Sequence, residues 1–170
     1  GVTVDISGDW ESISMRDLIL KYTPIDIYEY DTKEKLLEKI KQEKIEIDSE
    51  TPLENLGYGN LVDQLYKKVA RPHVVKPCFL TKHPISLSPL ARANDDNPNL
   101  TDRFQLIING AEIINAYSEL VDPIEQEKRL EEQAKLKNNG DEEAMMMDRD
   151  YIGAMEYGMP PIRGWGIGID

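Results

Sequence analysis

Two apolar runs, Arg103-Phe-Gln-Leu-Ile-Ile108 and Ala111-Glu-Ile-Ile-Asn-Ala-Tyr-Ser-Glu119, meet at Asn109-Gly110. Both turn residues tolerate positive φ, which a two-residue hairpin between right-twisted strands requires. The sequence therefore commits to an antiparallel pair here. With a two-residue turn, Ile107 lies opposite Glu112 and Gln105 opposite Ile114. Gln105 and Glu112 then become diagonal neighbours, close enough to share an ion.

The second of these strands is unusually polar. Glu112, Asn115, Tyr117, Ser118 and Glu119 stand among apolar neighbours, and a buried carboxylate is costly unless a cation or metal meets it. Strict alternation puts Asn115, Tyr117 and Glu119 on one face and Glu112 on the other. If all four serve one pocket, a bulge or strand end must intervene between Glu112 and Asn115. A half-exposed strand with no ligand would produce a similar pattern, so spacing alone leaves both readings open.

The surrounding segments supply helices and further strands. Val2 to Ile6 alternate and predict a short strand, and Ser14-Met-Arg-Asp17 has the form of a capping box opening a helix towards Lys21. Residues 24–72 are rich in Lys and Glu, with Leu36, Leu37, Ile40, Leu61, Leu65 and Val69 spaced for amphipathic helices. They read as a small helical insertion. Val74 to Leu80 reads as a strand made irregular or confined to an edge by Pro77, and His83 to Leu100 as a loop. Asp122-Pro123 caps a helix expected to run through Leu136 and end near Gly140, and a second starts at Asp148 and stops at Gly158. In Gly164-Trp-Gly-Ile-Gly-Ile-Asp170, glycines alternate with large apolar residues, so one face of this strand carries no side chains. The chain opens on Gly1 and closes within this run, and both ends read as cuts in a longer protein.

Composition limits the chemistry. A chain of 170 residues with 40% apolar content can bury one core. The formal charge of -12, from 32 acidic and 20 basic side chains, argues against free binding of nucleic acid by this piece and suits cations better. The single cysteine, Cys78, excludes an internal disulfide and a cysteine-based zinc cluster, and His73 and His83 lack HExxH spacing. A reducing compartment, the cytosol, is expected. There is neither a membrane-spanning run nor a phosphate-binding GxGxxG or GxxxxGK[ST] loop.

In order along the chain, His83-Pro84, Ser88-Pro-Leu-Ala91, Asp102-Arg-Phe104, Asn109-Gly110, Glu112-Ile113, Asn115-Ala-Tyr-Ser-Glu-Leu120, Asp122-Pro123, Glu131-Glu-Gln133, Gly140-Asp141, Glu156-Tyr-Gly158, Pro160-Pro161 and Gly164 to Asp170 resemble the class II lysyl-tRNA synthetases. The match is dense over residues 72–170 and looser before. It implies an α+β fold, an antiparallel sheet flanked by helices forming an incomplete class II catalytic core. It also implies ATP-dependent activation of lysine to lysyl-adenylate with Mg2+, transfer to tRNA(Lys), and a homodimeric parent. By the same likeness, Asn115, Tyr117 and Glu119 line the lysine pocket, with Glu119 on the substrate ammonium and Tyr117 on its methylene chain. Glu112 is then a metal-binding carboxylate near the ATP phosphates, and Gly164, Gly166, Gly168 and Asp170 belong to the ATP site.

Three departures qualify that likeness. Gln105 stands where the family usually has a second metal-binding glutamate; its amide oxygen can coordinate but brings no charge. The arginine that follows the third motif would come after Asp170, and the second motif's arginine before Gly1, so this piece alone is expected to be inactive. Two other readings stand beside a lysine–tRNA ligase: a tRNA-independent paralogue that lysylates a protein, and a synthetase-like binding or assembly module that has lost catalysis.

Overall fold

A computed structural model describes residues 3–168. Its centre is a five-stranded sheet in the order β1-β2-β3-β4-β5, with β1 at Glu11–Ser14, β2 at Cys78–Thr81, β3 at Arg103–Ile108, β4 at Ala111–Ser118 and β5 at Arg163–Ile167. The strands run antiparallel except for the parallel pair β1 and β2. A parallel neighbour needs a long crossover, and residues 15–77 provide it. Helices α1 (Met15–Tyr22), α2 (Lys33–Gln42) and α3 (Tyr58–Leu65) lie in that crossover.

Local signals account for most of these elements. Asn109 and Gly110 adopt φ of 50° and 72°, so the hairpin turn forms as expected. The Ser14 side chain accepts from the Asp17 backbone N–H at 3.0 Å and starts α1. Asp122 caps α4 (Pro123–Asn138), which stops at Asn139 ahead of a left-handed Gly140, and Asp148 caps α5 (Arg149–Glu156), followed by Gly158 at φ 105°. β2 begins only after Pro77, whose missing N–H does not interrupt the ladder, and it sits inside the sheet.

The strand expected over residues 2–6 does not form. Val2 lies outside the described residues, and Thr3 to Ile6 are irregular. Alternation there has no neighbouring ladder to join, whereas Glu11-Ser-Ile-Ser14, poor in apolar residues, is made a strand by pairing with Cys78 to Thr81.

The crossover helices pack into one apolar body. Met15, Leu18, Ile19, Leu36, Ile40, Leu61 and Leu65 meet Cys78 and Leu80 of β2 and Ile107 of β3. Gly59 lets α3 approach the turn Ile85–Leu87: a Cβ there would fall 2.4 Å from the Ser86 carbonyl oxygen. Asp141 is fully buried and draws α3 towards the loop after α4. Its carboxylate accepts from the Gly57 N–H at 2.7 Å and from Asn60 Nδ2 at 2.9 Å, capping a helix whose own N-cap residue has no side chain. A second, smaller cluster of Leu130, Ile152 and Met155 joins α4 to α5.

Candidate active site

Register decides which side chains converge. From the turn, Ile108 pairs with Ala111 and Ile107 with Glu112, as two-residue geometry demands, but the next pair is Leu106 with Ile114. Ile113 is thus an extra residue on β4, a β-bulge. Every later side chain of β4 changes face, so Glu112, Asn115 and Tyr117 lie on the same side of the sheet. The expected pairing of Gln105 with Ile114 is corrected by that one-residue shift: Gln105 faces Asn115, and Arg103 faces Tyr117.

Leu80 lies opposite Gln105, and Cys78 opposite Ile107, so this is the sheet face that also carries the main apolar core. It changes from apolar at β2 to polar at β4. β5 continues it with no side chains at all: Gly166 lies opposite Asn115 and Gly164 opposite Tyr117, while Trp165 and Ile167 point to the other face. A Cβ at Gly166 or Gly168 would meet nothing within 4 Å, whereas one at Gly164 would come 2.8 Å from Glu119 Oε1. Gly164 is the space the Glu119 carboxylate occupies. Asp170 lies outside the described residues.

Glu119 follows the last residue of β4 and is fixed by its backbone. Its N–H donates to Ile162 O at 3.1 Å, and it bridges to Ala91. Burial raises its carboxyl above the ordinary carboxylate value, and no neighbouring cation among the described residues counters this. Such a group gains when an ammonium arrives. Tyr117 is half-buried, and its phenol is raised by burial and then by the charge of Glu119.

Arg103 organises the opposite wall. Its Nε donates to Asn115 Oδ1 at 3.0 Å and its Nη1 to Ser88 Oγ at 2.9 Å. The Asn115 carbonyl is therefore used, which leaves its amide N–H groups for the pocket. Burial lowers the Arg103 pKa, with Glu112 acting in the opposite direction. Ser88 is held in place because α4 clamps its loop: Arg129 Nη1 donates to Ala91 O at 2.7 Å and Gln126 Nε2 to Pro89 O at 3.1 Å. Between this loop and β4 lies a cavity of about 180 Å3 bounded by Ser88, Leu90, Ala91, Arg103, Asn115 and Tyr117. Tyr151 on α5 adds to the same surroundings, its phenol raised by burial and by the charges of Glu119 and Tyr117.

Behind Glu112 runs a hydrogen-bonded chain. Gln105 Nε2 donates to Glu112 Oε2 at 2.6 Å, and Gln105 Oε1 lies 3.2 Å from Nε2 of the fully buried His83. The imidazole pKa is lowered to about 3, by burial first and by Arg103 second, so the ring is neutral.

The donor set fits a metal that arrives with a nucleotide. Glu112 is exposed, and the oxygen not held by Gln105 remains open to a cation. Among the described residues no group of three or more His, Cys, Asp or Glu could hold an ion alone. One carboxylate plus substrate phosphates is the usual pattern for Mg2+, which keeps several waters.

The sequence reading missed the roles of Arg103, Ser88, His83 and Tyr151. The first could have been found from the hairpin register once a bulge was allowed. His83 and Tyr151 arrive from separate elements, and no spacing connects them to β4.

Residues 4–170 match the family model described as tRNA synthetases class II (D, K and N). The chain belongs to that family. It is 46% identical over 169 residues to the lysine–tRNA ligase of Thermosipho africanus, covering 99% of this chain and 32% of the relative. It is 44% identical over 170 residues to that of Thermotoga maritima, covering 100% and 32%, and 42% identical over 167 residues to that of Christiangramia forsetii, covering 98% and 28%. The chain thus spans about a third of the length of the curated relatives it matches. Its sheet and flanking helices are those of a class II synthetase domain, as the resemblance implied. No helix among the described residues is long and apolar enough to cross a membrane.

Proposed function

We propose that the protein containing this chain is a lysine–tRNA ligase that forms lysyl-adenylate from lysine and ATP and passes lysine to tRNA(Lys). The chain contributes the lysine pocket and part of the ATP and Mg2+ site. The observation that carries this is the bulged β4, which gathers Glu112, Asn115 and Tyr117 on one face beside the Glu119 carboxylate. The names of the relatives favour the same reading.

Glu119 receives the ε-ammonium, since a half-buried carboxylate with no cation of its own selects a cationic side chain over a neutral one. Tyr117 packs on the methylene chain, and Asn115, its carbonyl held by Arg103, donates to an oxygen of the substrate. Gly164, Gly166 and Gly168 leave a bare strand on which a flat adenine and ribose can lie. Glu112 would hold Mg2+ through the carboxylate oxygen that Gln105 leaves open. When bound, that ion neutralises phosphate charge as the α-phosphorus is attacked. Asp170 completes the ATP side. The likeness extends to a homodimeric parent, and the free, buried Cys78 agrees with a reducing cytoplasm.

The test is lysine-dependent ATP–pyrophosphate exchange and tRNA(Lys) charging by the full-length protein. Both activities are expected. Exchange without tRNA charging, but with lysylation of a protein, would favour the paralogue. Absence of exchange would leave a binding module.

A further inference from the structure

From the chain His83–Gln105–Glu112 we infer that Gln105 is a positioning residue for Glu112 and not a metal ligand, so that this site holds one divalent ion fewer than it would with a glutamate at 105. The inference rests on the reading of Glu112 as the metal carboxylate.

The orientation of the Gln105 amide follows from its two partners. A carboxylate can only accept, so the 2.6 Å contact with Glu112 Oε2 must use the amide N–H. The other end, Oε1, then faces His83 Nε2 at 3.2 Å, and that ring nitrogen must carry the proton. The one atom of Gln105 able to coordinate a cation is therefore already accepting. It is also turned inward: Gln105 is 5% exposed and His83 is 0%.

Presenting that oxygen to an ion beside Glu112 requires a flip, and the flip is opposed at two points. The Glu112 carboxylate would lose its donor. The amide N–H groups would face His83 Nε2, which would accept only by moving its proton to Nδ1. The amide thus stays with its partly positive N–H edge towards Glu112. From there it fixes one carboxylate oxygen and leaves the other for a single ion.

A glutamate at 105 would differ in charge, and it could keep the proton of His83 on one oxygen while offering the second to a cation. A methionine would fill similar volume with neither function. Removing an outer hydrogen-bond partner of a metal-binding group typically weakens metal affinity about 10- to 100-fold.

The experiment titrates Mn2+ into the full-length protein saturated with lysine and a non-hydrolysable ATP analogue, counting bound ions by the loss of the free Mn2+ spin-resonance signal. Gln105→Glu is expected to bind one ion more per site than the wild type. Gln105→Met is expected to bind the same number as wild type, with the Glu112-dependent ion weakened at least about 10-fold. An equal count in wild type and Gln105→Glu, or the loss of one ion in Gln105→Met, would overturn the inference and leave the Glu112 assignment standing. Mn2+ binding unchanged in Glu112→Gln would instead overturn the reading beneath it, and this inference with it.

Discussion

One face of the sheet carries two regions built on opposite principles. At β2 it is apolar: Cys78, Leu80 and Ile107 join α1, α2 and α3 in a cluster of fully covered aliphatic side chains. Two strands further on, at β4 and β5, it is polar, partly open and in places bare. In the first region each side chain contributes by being removed from water, and neighbours of similar volume could replace it. In the second nearly every side chain fixes another: Ser88 fixes Arg103, Arg103 fixes Asn115, and Gln105 fixes Glu112. The lesson is a division of labour. The apolar end anchors the sheet to the crossover helices, and the polar end is built on that anchored frame with its open groups turned towards a ligand.

Substitutions in the two regions should therefore fail in different ways. The largest effect is expected for Glu119→Gln, which should lower lysine-dependent exchange by the full-length protein about 100- to 1,000-fold through loss of a half-buried charge-assisted contact that the bound substrate covers. Hydrogen exchange at β4 should stay as in wild type; a general rise there would make Glu119 a structural residue and erase the contrast. Leu61→Ala should do the reverse. It empties a fully buried position of α3, and should lower the opening free energy of that helix by about 3 kcal/mol, read from hydrogen exchange of its amides, with little change in the KM for lysine. Asp141→Ala tests the join between crossover and α4. Removing the buried cap strands the Gly57 N–H and Asn60, for an expected cost of about 2 kcal/mol in the same measurement.

A fourth prediction concerns pH. Because burial raises the Glu119 carboxyl, acidification should neutralise it at a higher pH than an ordinary glutamate, and kcat/KM for lysine should fall about tenfold per pH unit below that point. The titratable groups facing it are Tyr117 of β4 and Tyr151 of α5, both neutral through this range, so the profile should have one acidic limb, absent in Glu119→Gln. Stability runs the other way. A carboxyl raised in the fold stabilises it below the unfolded pKa and loses that contribution as pH rises through the folded value. The smallest effect is expected for Gly164→Ala. The added Cβ meets only the tip of the Glu119 side chain, so a few-fold rise in KM for lysine without loss of stability is expected.

Much of this division was legible in the sequence, but unevenly. Asn109-Gly110 announced the hairpin, Ser14, Asp122 and Asp148 announced helix starts, and each was a local signal carried by the residue's own backbone preference. The polar density of β4 was visible too, together with the condition that a bulge must fall between Glu112 and Asn115. The position of that bulge was not, since Ile113 differs in nothing from Ile114 until register is known. Long-range pairing was the least legible. Thr3 to Ile6 alternate and form no strand, while Glu11–Ser14 scarcely alternate and do, because a ladder partner from residues 78–81 settles the matter. His83 shows the same limit: only the fold brings it behind Gln105.

The bulge has a further consequence for how this strand tolerates change. Ile113 is the one residue of β4 between Ala111 and Tyr117 that the pairing with β3 passes over. Another apolar side chain there would leave the parity of β4 intact. An in-frame loss of that one codon would restore perfect alternation and would look, in a hydropathy plot, like an improvement. It would also leave Asn115 and Tyr117 on the side of Glu112, because the remaining residues of β4 would pair with β3 in plain alternation; what would go is the local bend and added twist of the bulge. Chains of this kind that differ by a gap at this position can therefore present the same residues on the same face, one strand bulged and the other straight.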